Sequence, residues 1–216
     1  MGKDVATPER IALRFVQVAA LVIVMGIGAG CNGGGTEPDF GANNPDMHVA
    51  IGDSITEGYR ASVDYPSILS ALIGKPVVNA SLGGTMTRTG AYEVGDLLAR
   101  FQPGHLLILY GANDAIHGVS LTRTSGNLRF MVQTSKTNST VPVIATLTPM
   151  SGSHEGWNGG VEAINGEIRR IAEEEQVPLA DLSAAFAGHP EYMNPDGLHP
   201  NNAGQQRIAE VFAEQL

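Results

Sequence analysis

The stretch His105-Leu106-Leu107-Ile108-Leu109-Tyr110 is the clearest strand in this sequence, because it is nearly all apolar. A strand of this composition is typical of a parallel sheet that helices cover on both faces. Polar residues follow it at once, in Gly111-Ala112-Asn113-Asp114. The stretch therefore predicts a central strand with a polar loop at its carboxyl end.

Apolar runs and amphipathic stretches alternate on both sides of this strand. The longer stretches place apolar residues at the 3/4 spacing of a buried helical face. The predicted strands cover 47–51, 76–80, 105–110, 141–147 and 177–182, and the predicted helices cover 65–73, 91–101, 121–138, 161–175 and 203–216. This alternation predicts an α/β fold, a three-layer α/β/α sandwich with a five-stranded parallel sheet.

Three polar motifs each follow the carboxyl end of a predicted strand. Ser54, in Gly52-Asp53-Ser54, follows the first strand, Gly84 follows the second and Asn113 follows the third. In a flavodoxin-like strand order of 2-1-3-4-5, the first and third strands are neighbours and the chain reverses its winding direction between them. We therefore expect the three motifs to meet in a crevice at this edge of the sheet.

The residue types in these motifs, with Asp196-Gly-Leu-His199, are those that acyl transfer through a serine requires. Ser54 is a candidate nucleophile, His199 a candidate base, and Asp196 a carboxylate that can fix the imidazole tautomer. The Asn113 side chain is a candidate donor to an oxyanion. Each motif alone also has a plain structural interpretation, as a helix cap, an Asx turn or a turn with a solvated histidine.

Taken together, these segments resemble the SGNH (GDSL-type) hydrolase family over nearly all of 47–216. The four residues that give the family its name match, in chain order, Ser54, Gly84, Asn113 and His199. Gly83 is an alternative for the glycine position. We choose Gly84 because the family pattern resembles Asn-Ala-Ser-Leu-Gly-Gly with the functional glycine last.

The resemblance implies that the chain hydrolyses carboxylic esters through an acyl-enzyme, with no metal or organic cofactor. Ser54 would be the nucleophile, His199 the base, and Asp196 the group that holds the imidazole. The oxyanion would be held by the backbone N–H groups of Ser54 and Gly84 and by the Asn113 side chain. Similar proteins include lysophospholipases, thioesterases, aryl esterases and carbohydrate deacetylases, so small-molecule, lipid and glycan esters all remain candidate substrates.

Two other functions remain open at this stage. The Gly-Asp, Asn-Asp and Asp-x-x-His segments could belong to the two-metal site of a phosphoesterase, although no surplus of carboxylate and histidine ligands is found. The chain could also be a non-catalytic surface lipoprotein that binds a ligand on the same scaffold. A nucleic-acid partner is not expected, because the net charge is −9 and no cluster of lysine or arginine is present.

The first thirty residues differ in kind from the rest of the chain. The stretch 15–30 is uncharged, shorter than the roughly 20 residues of a membrane span, and ends directly before Cys31, the only cysteine. This pattern predicts a signal peptide over 1–30 that resembles the bacterial lipoprotein type, with Cys31 lipidated. Gly28 stands where that motif usually has leucine, so simple cleavage and an uncleaved anchor remain alternatives.

The segment 31–45 is rich in glycine, asparagine, proline and acidic residues, and it predicts a flexible tether ahead of a hydrolase domain over 46–216. Together these features predict an exported protein of the bacterial cell envelope. Its only contact with a membrane would be the lipid anchor.

Overall fold

The computed structural model of this chain describes residues 38–216. The predicted signal peptide, Cys31 and the first part of the predicted tether lie outside the described residues. Among residues 38–216, none of the helices combines the length and the apolar character that a membrane span needs.

Strands and helices alternate along the described chain. The strands are β1 (Asn44–Gly52), β2 (Val77–Asn79), β3 (Pro103–Leu109), β4 (Val141–Ala145) and β5 (Leu179–Ala180). The helices are α1 (Ser54–Glu57), α2 (Tyr65–Ile73), α3 (Thr87–Phe101), α4 (Ala112–Ile116), α5 (Leu121–Thr137), α6 (Asn158–Glu175), α7 (Leu182–Phe186) and α8 (Asn202–Ala213). Short 3-10 turns at Gly152–Trp157 and Pro190–Tyr192 complete the connections.

The five strands form one parallel sheet in the order β2-β1-β3-β4-β5, which confirms the predicted α/β fold and strand order. The long helices pack in two groups, with α2 against α8 and with α5 between α3 and α6. In the first group, the rings of Tyr65 and Phe212 stack with their centroids 5.1 Å apart. Both rings are fully buried, and burial of the Phe212 side chain stabilises the fold by roughly 1.5–3 kcal/mol.

Several predicted boundaries are wrong, and each error has a local cause. The predicted tether ended at residue 45, but β1 already begins at Asn44. The preceding Asn43 donates its side-chain amide to the carbonyl of Ser139 at 3.1 Å, a contact between distant segments that sequence patterns do not reveal. The predicted strand 177–182 shortens to β5 because Asp181 caps α7 by accepting from the N–H of Ala184 at 3.2 Å.

Two histidines form a stacked pair at the amino-terminal end of the sheet. His48 on β1 lies in register with His105 on β3, and their rings stack 4.8 Å apart at an angle of 6°. Burial lowers the pKa of His48. Burial and the adjacent His48 lower the pKa of His105 to about 4. The pair is therefore held in its neutral form.

We expect this pair to make stability depend on pH. In the unfolded chain a histidine takes up a proton near pH 6.5, whereas in the folded chain His105 takes one up only near pH 4. The contribution of the neutral pair to the free energy of unfolding is therefore complete above pH 6.5 and is lost as the pH falls toward 4. The free energy of unfolding of wild type relative to His105→Gln should therefore be higher at pH 7 than at pH 5. Urea titrations at both pH values measure it, with the exposed His189→Gln as control. An equal difference at both pH values would contradict the assignment.

Candidate active site

The structure brings Ser54, His199 and Asp196 together beside the carboxyl ends of β1 and β3. Ser54 is the first residue of α1, directly after the turn that ends β1. Its Oγ lies 3.0 Å from Nε2 of His199, although 145 positions separate the two residues in the chain. The Nδ1 atom of the same imidazole lies 2.9 Å from Oδ2 of Asp196. Hydroxyl, imidazole and carboxylate thus form one hydrogen-bonded chain.

The Asp196 carboxylate is fixed from several sides. Its Oδ1 accepts the backbone N–H groups of Leu198 and His199, each at 3.0 Å, and its Oδ2 lies 3.3 Å from Nε of Arg60. Burial opposes ionisation here, but the backbone N–H groups of His199 and Leu198 and the imidazole outweigh it and lower the pKa of Asp196 to about 2. The carboxylate is therefore ionised and can hold a proton on Nδ1 of His199.

The predicted oxyanion donors surround Ser54, but they differ in their availability. Within residues 38–216, the backbone N–H groups of Ser54 and Gly84 have no hydrogen-bond acceptor. Gly84 has φ +74°, a left-handed conformation that favours glycine. The Asn113 amide is not free, since Nδ2 donates to the Thr85 carbonyl at 2.9 Å and to Oδ2 of Asp53 at 3.3 Å. A bond from Asn113 to an oxyanion would have to replace one of these.

Two buried carboxylates, Asp53 and Asp114, lie next to the candidate catalytic residues in the chain. Asp53 accepts the N–H of Ile55 through Oδ1 at 3.0 Å and so caps α1. Its burial, with the negative charge of Asp114, raises the pKa of Asp53 to about 7. Asp114 in turn accepts from the backbone N–H and the hydroxyl of Thr87, at 2.9 and 2.5 Å. The Asp114 bonds connect the segment after β3 to the start of α3.

A cavity of about 360 Å³ opens over Ser54, and both Gly83 and Gly84 line it. It falls in the size range of small-molecule sites. Sequence reasoning missed Glu57 and Tyr59, which also line this cavity. The Tyr59 ring lies edge-on to the His199 ring, with the centroids 4.8 Å apart. Their nearness to Ser54 in the chain was the only available signal.

Comparisons with known proteins agree with this fold. A model of the GDSL-like lipase/acylhydrolase family matches residues 50–207. The thioesterase 1/protease 1/lysophospholipase L1 of Escherichia coli strain K12 is 31% identical over 183 residues, covering 82% of this chain and 86% of that protein. An arylesterase of Vibrio mimicus is 30% identical over 179 residues, covering 78% of this chain and 86% of that protein. The crystal structure of TesA superposes with a TM-score of 0.67 at 25% identity, covering 79% of this chain and 97% of that one.

The fold and the relatives together define a hydrolase that acts on ester bonds. The chain belongs to the GDSL-like lipase/acylhydrolase family. This confirms the resemblance to SGNH hydrolases that the four sequence motifs indicated.

Proposed function

We propose that this protein is a serine esterase that hydrolyses carboxylic esters through an acyl-enzyme intermediate. The observation that carries the proposal is the continuous hydrogen-bonded chain from Ser54 Oγ through His199 to Asp196, at 3.0 and 2.9 Å. A serine becomes a useful nucleophile at neutral pH when an adjacent imidazole accepts its proton. The open cavity above Ser54 gives an ester access to it.

In the acylation step, Ser54 Oγ attacks the ester carbonyl carbon while Nε2 of His199 takes the hydroxyl proton. Asp196 keeps the other imidazole proton on Nδ1, so that Nε2 is unprotonated and faces the serine before the reaction. The imidazolium then gives its proton to the leaving alcohol oxygen as the ester bond breaks. The acyl group remains on Ser54.

The negative oxygen that forms during attack needs donors close to Ser54. We assign this role to the backbone N–H groups of Ser54 and Gly84, with Asn113 contributing in exchange for one of its two intramolecular bonds. In deacylation, His199 takes a proton from water, the hydroxide attacks the acyl carbon, and the proton returns to Ser54. The products are a carboxylic acid and the free enzyme.

The cavity supports esters with modest acyl groups. Tyr59 and Leu198 supply apolar wall beside the nucleophile, and its volume of about 360 Å³ is at the small end of the range for ligand sites. Relatives that are named lysophospholipase and arylesterase support lipid and aryl esters as candidates. Glycan esters share the same bond and complete the proposed substrate class.

A chelator experiment separates this mechanism from that of a metal-dependent phosphoesterase. In residues 38–216, no group of three or more histidine, cysteine, aspartate or glutamate side chains is arranged to hold a metal ion. We expect the protein to hydrolyse p-nitrophenyl butyrate at the same rate before and after dialysis against EDTA, and not to cleave bis(p-nitrophenyl) phosphate. A loss of ester hydrolysis that added metal restores would contradict the proposal.

We further propose export to the cell envelope with a lipidated Cys31, on the sequence pattern of residues 1–31. Cys31→Ser should move the protein from the membrane fraction to the soluble fraction of bacteria that express it. Intact mass of the purified mature chain should show acyl groups on Cys31 in wild type only. An unmodified mature chain that begins elsewhere would contradict lipidation.

A further inference from the structure

Residues 38–216 also form a second cavity, of about 520 Å³. Its wall is formed by Met86, Arg88, Asp114, Val119, Arg123 and Asn127. Gly84 and Asn113 line the first cavity, whereas Met86 and Asp114 line the second. The same two chain segments therefore form walls of both cavities.

The charge of this second cavity is unusual for a chain with a net charge of −9. Among residues 38–216, every lysine and arginine except Arg88, Arg100 and Arg123 forms an ion pair with a carboxylate. Arg100 lies outside the cavity, with its guanidinium 5.0 Å from the ring centroid of Phe101. The two remaining arginines line the same cavity, in a protein whose carboxylates outnumber its cations.

The position of these arginines in their helices also favours an anionic ligand. Arg88 lies in the first turn of α3 and Arg123 in the first turn of α5. The amino-terminal end of a helix is positive, so a cation there is disfavoured unless an anion accompanies it. Neither helix has a side-chain hydrogen bond at its N-cap. No acidic residue lies in either first turn.

The one carboxylate in the wall, Asp114, lies at the amino-terminal end of α3 but pairs with neither arginine. Asp114 is 1% exposed and forms no ion pair within residues 38–216. Its oxygens accept hydrogen bonds from Thr87, as described above, and from the hydroxyl of Thr124 at 3.2 Å. Asp114 is thus held within the protein at the wall of the cavity, and Arg88 and Arg123 are exposed beside it.

We propose that the Arg88–Arg123 cavity binds an anionic group of the ester substrate, a carboxylate or a phosphate, while the ester bond lies at Ser54. Guanidinium groups bind both anions through paired N–H donors. The two cavities are lined by neighbouring residues of the same two chain segments, which is the ground for placing two parts of one substrate in them. The inference rests on the proposed esterase function and adds to it a preference for acidic esters.

The first test compares acidic and neutral esters of matched length. The substrates are p-nitrophenyl monoesters of dicarboxylic acids and of ω-phosphonoalkanoic acids with increasing spacers, each paired with its neutral alkyl analogue. At the best spacer, we expect kcat/KM for the acidic ester to exceed that of its analogue by about tenfold. The carboxylate and phosphonate arms identify which anion is preferred. No preference in either arm at any spacer would overturn the proposal.

Variants assign the preference to the cavity. In Arg88→Gln and Arg123→Gln, the ratio of kcat/KM between acidic and neutral ester should fall by about tenfold. Arg100→Gln removes the same charge from an arginine outside the cavity and should leave the ratio unchanged. A ratio that stays high in the double variant Arg88→Gln/Arg123→Gln, or that falls equally in Arg100→Gln, would overturn the proposal.

Direct binding separates failure of this inference from failure of the proposed function. Calorimetric titration of wild type with inorganic phosphate and with succinate requires no turnover. We expect at least one of these anions to bind wild type, and its Kd for the double variant to be higher by about tenfold or more. If the protein hydrolyses no ester, the proposed function fails and this titration still decides whether the cavity holds an anion. Equal binding to both proteins, or none to wild type, would overturn the anion site.

Discussion

Replacement of Ser54 by alanine is expected to lower kcat/KM for p-nitrophenyl butyrate by about 10⁴-fold or more. The reason is that the variant keeps the imidazole and the N–H donors but has no atom that can carry the acyl group. The hydroxyl is partly buried and makes its hydrogen bond to His199, so its removal leaves the packing of α1 essentially unchanged. Steady-state kinetics with purified protein measure the loss.

The matched control is Ser67→Ala, which removes an exposed serine hydroxyl on α2, away from the cavity over Ser54. Its kcat/KM should equal that of wild type. Thermal unfolding followed by circular dichroism should show that both variants are folded. A folded Ser54→Ala protein that retains more than about a hundredth of wild-type turnover would contradict the role of this serine.

Asp196→Asn is expected to lower kcat by about 10³- to 10⁴-fold with little change in KM. Asparagine keeps the volume and the carbonyl oxygen that accepts the backbone N–H groups of Leu198 and His199. It removes the negative charge that keeps a proton on Nδ1 of His199 and stabilises the imidazolium during attack. Measurement of kcat and KM separately distinguishes this loss from a loss of substrate binding.

Asp46→Asn is the control for this substitution, because Asp46 is an exposed carboxylate that pairs with Lys75 on the surface. It should not alter kcat. The double variant Asp196→Asn/His199→Ala should have about the same kcat as the single variant His199→Ala, because substitutions in residues that act as one unit do not have additive effects. If the two losses instead multiply, Asp196 does not act through His199.

Most of the sheet could be predicted from the sequence because its central strands are nearly continuous apolar runs. Leu106, Leu107, Ile108 and Leu109 are buried on β3, and the polar residues that follow soon after mark the strand end. The grouping of Ser54 with Asn113 follows from the strand order, since loops after neighbouring parallel strands lie side by side. The position of His199 could not be derived in this way. It lies on a loop before α8, and the resemblance of its Asp-x-x-His segment to a family was the available signal.

Other features were beyond sequence patterns for physical reasons. Helices α1 and α4 have 4 and 5 residues, too few to show a helical period. The bonds that engage Asn113 run to Thr85 and Asp53 on other segments, so only the folded chain reveals them. The same is true of the unpaired arginines of the second cavity, because a missing ion pair is a property of the three-dimensional arrangement.

Covalent labelling tests the central claim most directly. A fluorophosphonate reacts only with a serine whose oxygen is activated, and the adduct imitates the acyl-enzyme. We predict one adduct per wild-type molecule, located on Ser54 by peptide mass spectrometry, and none in Ser54→Ala or in heat-unfolded wild type. An unlabelled native protein, or an adduct on a different serine, would contradict the proposal that Ser54 is the nucleophile.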